Sequence, residues 1–281
     1  MIVLSTAGMP LVEIKTWEDV NTRPKYKSKI DPLTVTLEQI IGQYFLEPQH
    51  CGIKSCNRSH NRGYLVSCSG GVETNIGKDC GFKYFGVKFQ EMEGQFNRDF
   101  NAKRHREALS VFRSQLDGWE KTISFLRDGD KQGLWCVDAV HHHATKAHSA
   151  PILASLASRA KRGDGEIYRE EMLDSEEWEV ERQAGGKSRY RQVFVGRING
   201  IGALSSYKRL KTLLQKHLGT SVEAFRELDI DSLEIQDLAY WDRWSKGMEG
   251  RINEVREIIT DCNRYLTPAN LAKVLAYRNL L

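Results

Sequence analysis

The chain has 281 residues, 40% hydrophobic and 28% charged, with a net charge of +4, long enough to bury a core without disulfide or metal staples. A mean hydropathy of −0.50, and no apolar run near the roughly 20 residues of a membrane span, exclude a membrane protein. So mild a charge does not by itself mark a nucleic-acid binder. The stretch Met1–Gly8 has no basic segment and too short an apolar run for a signal peptide, so a cytoplasmic protein with reduced thiols is expected.

Residues 1–46 read as an N-terminal arm followed by a short helix. The arm shows poor periodicity, and Arg23–Lys29 carries four positive charges in seven residues. The stretch Asp31–Leu46 predicts a helix ending before Pro48. Residues 47–90 follow as a compact finger, in which Arg62–Cys68, a Ser69-Gly70-Gly71 turn and Val72–Ile76 predict a β-hairpin. From Phe85 the pattern turns helical, and 91–132 reads as a long coiled-coil helix with Leu109, Phe112, Leu116, Trp119, Ile123 and Leu126 at steps of three and four.

Residues 133–204 read as a small α+β unit. It holds an amphipathic helix over Ala150–Arg162, an acidic solvated run from Glu170 to Glu181 and a strand over Arg189–Ile198. Residues 205–281 form a helical region in which Met248, Ile252, Val255, Ile259, Cys262 and Leu266 repeat the heptad pattern. This seam is expected to pair antiparallel with 91–132; the competing reading is that either seam is an ordinary core-facing stripe. The expected fold class is α+β, mainly helical, with a zinc finger, coiled-coil helices and a small α+β unit.

Definite chemistry sits in the finger. Four of the six cysteines, Cys51, Cys56, Cys68 and Cys80, and His60 fall within thirty residues. Zinc takes thiolates and imidazoles in a tetrahedron, with two ligands from a knuckle before a hairpin and the others from beyond it. Cys51 and Cys56 suit the knuckle, and Cys80 stands where the second strand runs into a helix. The fourth ligand is His60 or Cys68. His60 is preferred because it lies in the knuckle loop, whereas Cys68 ends a strand. A full set of four donors points to a closed structural Zn2+ site. The order knuckle, hairpin, Ile76-Gly77-Lys78-Asp79-Cys80-Gly81, helix resembles the treble-clef zinc finger, in particular small fingers of phage and plasmid proteins, over about Gln49 to Phe89. It departs from that pattern in a wider knuckle spacer and in one ligand, not two, at the helix start. The resemblance implies a structural zinc and a phage or mobile-element type of protein.

From Glu47 to Phe89 six Lys or Arg face three acids, a balance of +3. Lys25, Lys27 and Lys29 on the arm with Arg58, Arg62 and Lys83 on the finger are the candidate nucleic-acid contacts, and Tyr64 and Tyr84 are available to pack on sugars or bases. The cluster His141–His148 reads as a surface segment before it reads as a metal or acid–base site, because consecutive histidines point different ways. Gly200 and Gly202 before a helix suit a plain strand-to-helix turn better than a phosphate-binding one. No nucleotide-binding loop or hydrolase motif is present. These features lead to the expectation of a cytoplasmic, zinc-containing, non-enzymatic protein that binds nucleic acid. The alternative is a protein-interaction or inhibitor module.

Overall fold

In the computed structural model residues 2–4, 11–145 and 156–278 are described; of these 58% are helical and 20% lie in strands, a mainly helical α+β chain. The chain divides into two compact units, one of Met1–Val111 with Asp229–Arg243, the other of Phe112–Leu228 with Trp244–Leu281. Among the described residues no helix is long and apolar enough to cross a membrane.

The first unit is built on a five-stranded antiparallel sheet ordered β2-β1-β3-β4-β5. Its strands are β1 (Ile2–Leu4), β2 (Val12–Ile14), β3 (Leu37–His50), β4 (Ser59–Cys68) and β5 (Val72–Ile76), with a short helix α1 (Trp17–Asn21) after β2. The predicted hairpin is thus present as β4 and β5, joined by a turn whose Gly70 and Gly71 have φ of 77° and 73°.

The predicted helix over Asp31–Leu46 is instead β3. Pairing of β3 with β4 slips between Leu37 and Gln39 and again between Ile40 and Gly42, and each bulge adds a residue to the alternation. Leu37 and Ile40, buried in one cluster, therefore stand three apart, and Tyr44, buried with Val20 and Leu65 in the cluster on the other face, follows four later, so burial on two faces has the spacing of a helix face although the backbone is extended.

The arm is not loose either. Lys27 N–H donates to the Glu73 carbonyl and Glu73 N–H to that of Lys25, at 2.8 Å each, so this segment lies along β5. Arg23 clamps the Glu73 carboxylate through two bonds of 2.6 and 2.9 Å.

Helix α2 (Lys78–Ser114) starts directly after Gly77 and is broken at Gly86, whose φ of 60° and ψ of −142° suit only glycine. Phe89, Phe96 and Phe100 of α2 are buried in one cluster with Cys51, Ile53, Val66 and Ile76. The long predicted helix breaks a second time at Gln115, with φ −99° and ψ −2°, and resumes as α3 (Leu116–Asp128).

After α3 come α4 (Gly133–Thr145), β6 (Glu166–Met172), α5 (Ser175–Gln183), β7 (Tyr190–Arg197) and α6 (Ala203–Thr212). A π-helical turn (Leu213–Thr220), α7 (Ser221–Arg226), α8 (Ile235–Lys246), α9 (Met248–Tyr265) and α10 (Pro268–Arg278) complete the order. The strand read over Arg189–Ile198 is β7, and it pairs with β6 into a separate ribbon. Part of the acidic run is α5, started by a capping box at Asp174 and Glu177.

Both predicted seams are buried stripes. Helix α9 rests chiefly on α6 and then α4, and it meets α3 at the margin. Tyr265, not Leu266, closes its buried face after Cys262. The stripe thus drifts from the heptad toward the 3.6-residue repeat of a helix facing several neighbours in a bundle. Phe112, Phe225 and Trp244 anchor this unit with ring centroids 5.2 to 5.7 Å apart.

The turn at Gly200 packs directly on α9. At Gly202 an added Cβ would lie 2.8 Å from Asp261 Oδ2, so this carboxylate packs against the start of α6. Of the His cluster, His141 and His142 are exposed on α4 and His143 Nδ1 lies 3.1 Å from the Tyr265 hydroxyl. His148 and positions 150–155 of the predicted amphipathic helix lie outside the described residues.

Candidate metal centre

Three separated pieces of chain bring sulfur to one point. Cys51 follows the end of β3, Cys56 ends the turn that leads to β4, and Cys80 is in the first turn of α2. Their sulfurs lie within 4.8 Å of one another, and Cys56 and Cys80 are 3.3 Å apart. Thiolates on a tetrahedral zinc, with Zn–S near 2.3 Å, stand about 3.8 Å apart, so the set fits such an ion. All three residues are buried, and all six cysteines are free thiols. Among the described residues no other group of Cys, His, Asp and Glu comes together in this way.

The backbone around these sulfurs is arranged for anions. Burial pushes the Cys51 thiol up, while N–H groups of Ile53 and Gly77 act on it in the opposite direction. At Cys56 burial is outweighed by the N–H of Arg58, the thiols of Cys80 and Cys51 and the charge of Arg58, so this thiol falls below its ordinary value. Cys80 is pushed up to about 12 by burial and by its two sulfur neighbours. Three thiols in one pocket cannot all ionise without a cation, which a metal supplies. Gly52 keeps the knuckle tight, because a Cβ there would lie 1.9 Å from Thr74 Oγ1.

His60 does not join the group within 4.8 Å. It sits on β4 opposite Gln49, with Nδ1 2.7 Å from the Tyr44 hydroxyl. Its Nε2 is buried without a hydrogen-bond partner among the described residues. That edge of the ring faces Gly77, whose added Cβ would lie 3.2 Å from Nε2, and the Gly77 N–H is one of those acting on Cys51. Burial holds the imidazole below its ordinary pKa, which suits a neutral ligand. With Nδ1–H donated to Tyr44, Nε2 keeps a lone pair that has no donor to meet. Cys68 is buried at the end of β4 in the same apolar cluster, outside the sulfur group, and burial raises its thiol to about 11.

No known protein family, characterised protein or solved structure matches this chain significantly.

Lys29 has a role that its place in a basic run concealed. Its ammonium donates to the carbonyls of Cys51 at 2.7 Å and Cys56 at 3.1 Å, so it closes the knuckle that carries two of the three cysteines. Replacing Lys29 with Met is expected to weaken metal binding by about tenfold, the lower end of what outer-shell partners contribute. Competition against a chromophoric chelator measures it, and unchanged affinity would show the ammonium to be incidental.

The other predicted contacts are dispersed. Lys25 folds over the Gly70–Gly71 turn, and Lys27 is exposed on the segment along β5. Arg58 and Arg62 are exposed, Arg62 with its guanidinium 4.5 Å from the Phe45 ring centre. Lys83 lies 5.2 Å from the Tyr84 ring centre, and the Tyr84 hydroxyl accepts from Ser55 in the knuckle. Tyr64 is half-buried, packed on Phe89 and Phe96, with its hydroxyl donating to Glu93.

Proposed function

We propose that the chain is a zinc-containing protein that binds nucleic acid, acting by binding and not by catalysis. Its finger is of the treble-clef kind resembled by small phage and plasmid proteins. The observation that carries the metal is the convergence of Cys51, Cys56 and Cys80, with backbone N–H groups directed at the first two sulfurs. Cys51, Cys56 and Cys80 would hold the ion, with His60 as the fourth donor. Its work is structural, since a site with four protein donors leaves no position for water. Reduced thiols fit a cytoplasmic setting.

Nucleic acid is favoured because Arg58, Arg62 and Lys83 all lie at the surface of this small element. Lys29 is occupied at the knuckle, so the outward charge rests on the finger more than on the arm. Reversing Arg58, Arg62 and Lys83 together to Glu is expected to weaken binding to every sequence and to flatten its dependence on salt, because fewer counterions are released. A gel-shift panel of single- and double-stranded DNA and RNA at several salt concentrations tests this. Equal binding by the triple variant, or no binding by the parent at low salt, would remove the reading.

A protein partner is the second reading, and one observation favours it. On the β6–β7 ribbon Tyr168 packs edge-on against Phe194, Met172 pairs with Tyr190, and Met172, Tyr190 and Phe194 are each more than half exposed. An apolar ribbon face of this kind suits a protein surface.

A further inference from the structure

The β6–β7 ribbon is a sheet of two strands, so each strand keeps an open border. Tyr168 stands opposite Phe194, Glu170 opposite Gln192 and Met172 opposite Tyr190, and by strand alternation these six side chains share one face. All six are exposed, and the rings of Tyr168 and Phe194 meet there with centroids 5.7 Å apart. Three aromatic rings and a methionine left in water on one face mark an interaction surface.

The two faces of the ribbon differ in charge. On the other face Glu171 pairs with Arg169 and, at 3.4 Å, with Arg191, which also holds Glu177 at 2.8 Å, so the charges there are compensated. Glu170, on the apolar face between Tyr168 and Met172, makes no ion pair among the described residues. The surrounding balance is acidic too: residues 166–197 hold eight Asp or Glu against six Lys or Arg, in a chain whose net charge is +4. Strand β6 thus presents apolar, acidic and apolar side chains at alternate positions beside its open border.

We propose that the open border of β6 takes an extended basic segment of a partner protein as a third strand, with an apolar residue beside Tyr168, a Lys or Arg beside Glu170 and an apolar residue beside Met172. The inference rests on the protein-partner reading above and adds the partner's chemistry. An added strand gains affinity from the backbone N–H and C=O groups of the border and specificity from alternate side chains. Opposite charges on neighbouring strands favour the pairing, and like charges oppose it. That argues against a second copy, because the two-fold antiparallel register that sets Tyr168 of one copy against Met172 of the other also sets Glu170 against Glu170. Nucleic acid is disfavoured as well, since its phosphates would meet the same carboxylate.

The test measures, by fluorescence anisotropy, binding of the full chain to labelled peptides of the pattern apolar-Thr-Z-Thr-apolar, in which the apolar residues are Val, Ile or Tyr and Z is Lys, Arg, Gln or Glu. Peptides with Lys or Arg at Z are expected to bind about fivefold tighter than the same peptides with Glu, and Glu170→Lys is expected to invert that order. Methylating alternate backbone nitrogens of the Lys peptide is expected to abolish binding for the set that faces β6 and to spare the other set. Circular dichroism of the variant reports whether the fold is intact. The proposal falls if the peptides bind equally whatever stands at Z, or if neither methylated set loses binding; a protein partner of another chemistry would then remain. It also falls if light scattering finds a dimer that Tyr168→Ser converts to monomer, which would give the face to a second copy. A parent that binds none of the peptides overturns both the proposal and the protein-partner reading of the ribbon.

Discussion

A Cys51→Ser variant is expected to lose the metal proposed for the sulfur group and, with it, the local fold. Cys51 is completely buried in the cluster that holds Ile53, Val66, Ile76 and Phe89, so the site and the local core are one structure. Without an ion the sulfur pocket keeps three closely set thiols that packing alone must hold. Removing one donor leaves the other two with no common partner. Structural zinc binds small fingers by roughly 10–16 kcal/mol, and in the proposed site that contribution would be local. Hydrogen exchange should show lost protection in β4, β5 and the head of α2, while α9 keeps its own. Chelation of the parent should reproduce this pattern. Companion variants settle the fourth donor: His60→Ala is expected to lower zinc affinity and Cys68→Ala to leave it unchanged. Full zinc occupancy in Cys51→Ser would end the metal assignment.

Gly200→Ala is expected to destabilise the second unit by about 3 kcal/mol or more. Its φ of 66° is the left-handed region, which costs an alanine roughly 1–2 kcal/mol. Space then adds to conformation, because a Cβ there would lie 2.2 Å from the Asp261 carbonyl oxygen and 2.8 Å from the Tyr265 nitrogen. Those are backbone atoms of α9, whose inner face is fully packed, so relief requires the helix to move. Gly163 is the control. Its φ of 68° is nearly the same, yet nothing lies within 4 Å of an added Cβ, so Gly163→Ala should cost only the conformational part. Urea unfolding of the two variants separates the effects, and equal losses would mean that α9 yields easily.

Elements whose chemistry is local were legible in the sequence. The glycine pair at 70 and 71 and the flanking alternation mark the hairpin, and the spacing of Cys51, Cys56 and Cys80 marks the sulfur group. Where a long-range pairing decides the local form, the pattern misleads. The bulges in β3 depend on its register with β4, and together with burial on both faces of the sheet they make Leu37, Ile40 and Tyr44 imitate a helix. Lys29 looks like one more cation of a basic run, because nothing in its neighbourhood shows that the knuckle carbonyls lie within reach. The contact of Arg62 with Phe45 likewise depends on which residue of β4 stands opposite. The heptad seams led to the expectation of an antiparallel pair, whereas a buried stripe does not name its partner, and α9 faces chiefly α6.

The segment docked along β5 also bears on how the protein behaves at high concentration. An outermost strand presents a row of unpaired N–H and C=O groups, a template on which other chains can polymerise. Here Tyr26 bridges to Glu73 in parallel fashion, and the bonds from Lys27 and to Lys25 use the Glu73 backbone on its outer side. At the opposite border β2 is only three residues long, with Glu13 at its centre. One border is sealed by the chain itself and the other is too short and too charged to recruit a neighbour, so the sheet is guarded against edge-to-edge aggregation.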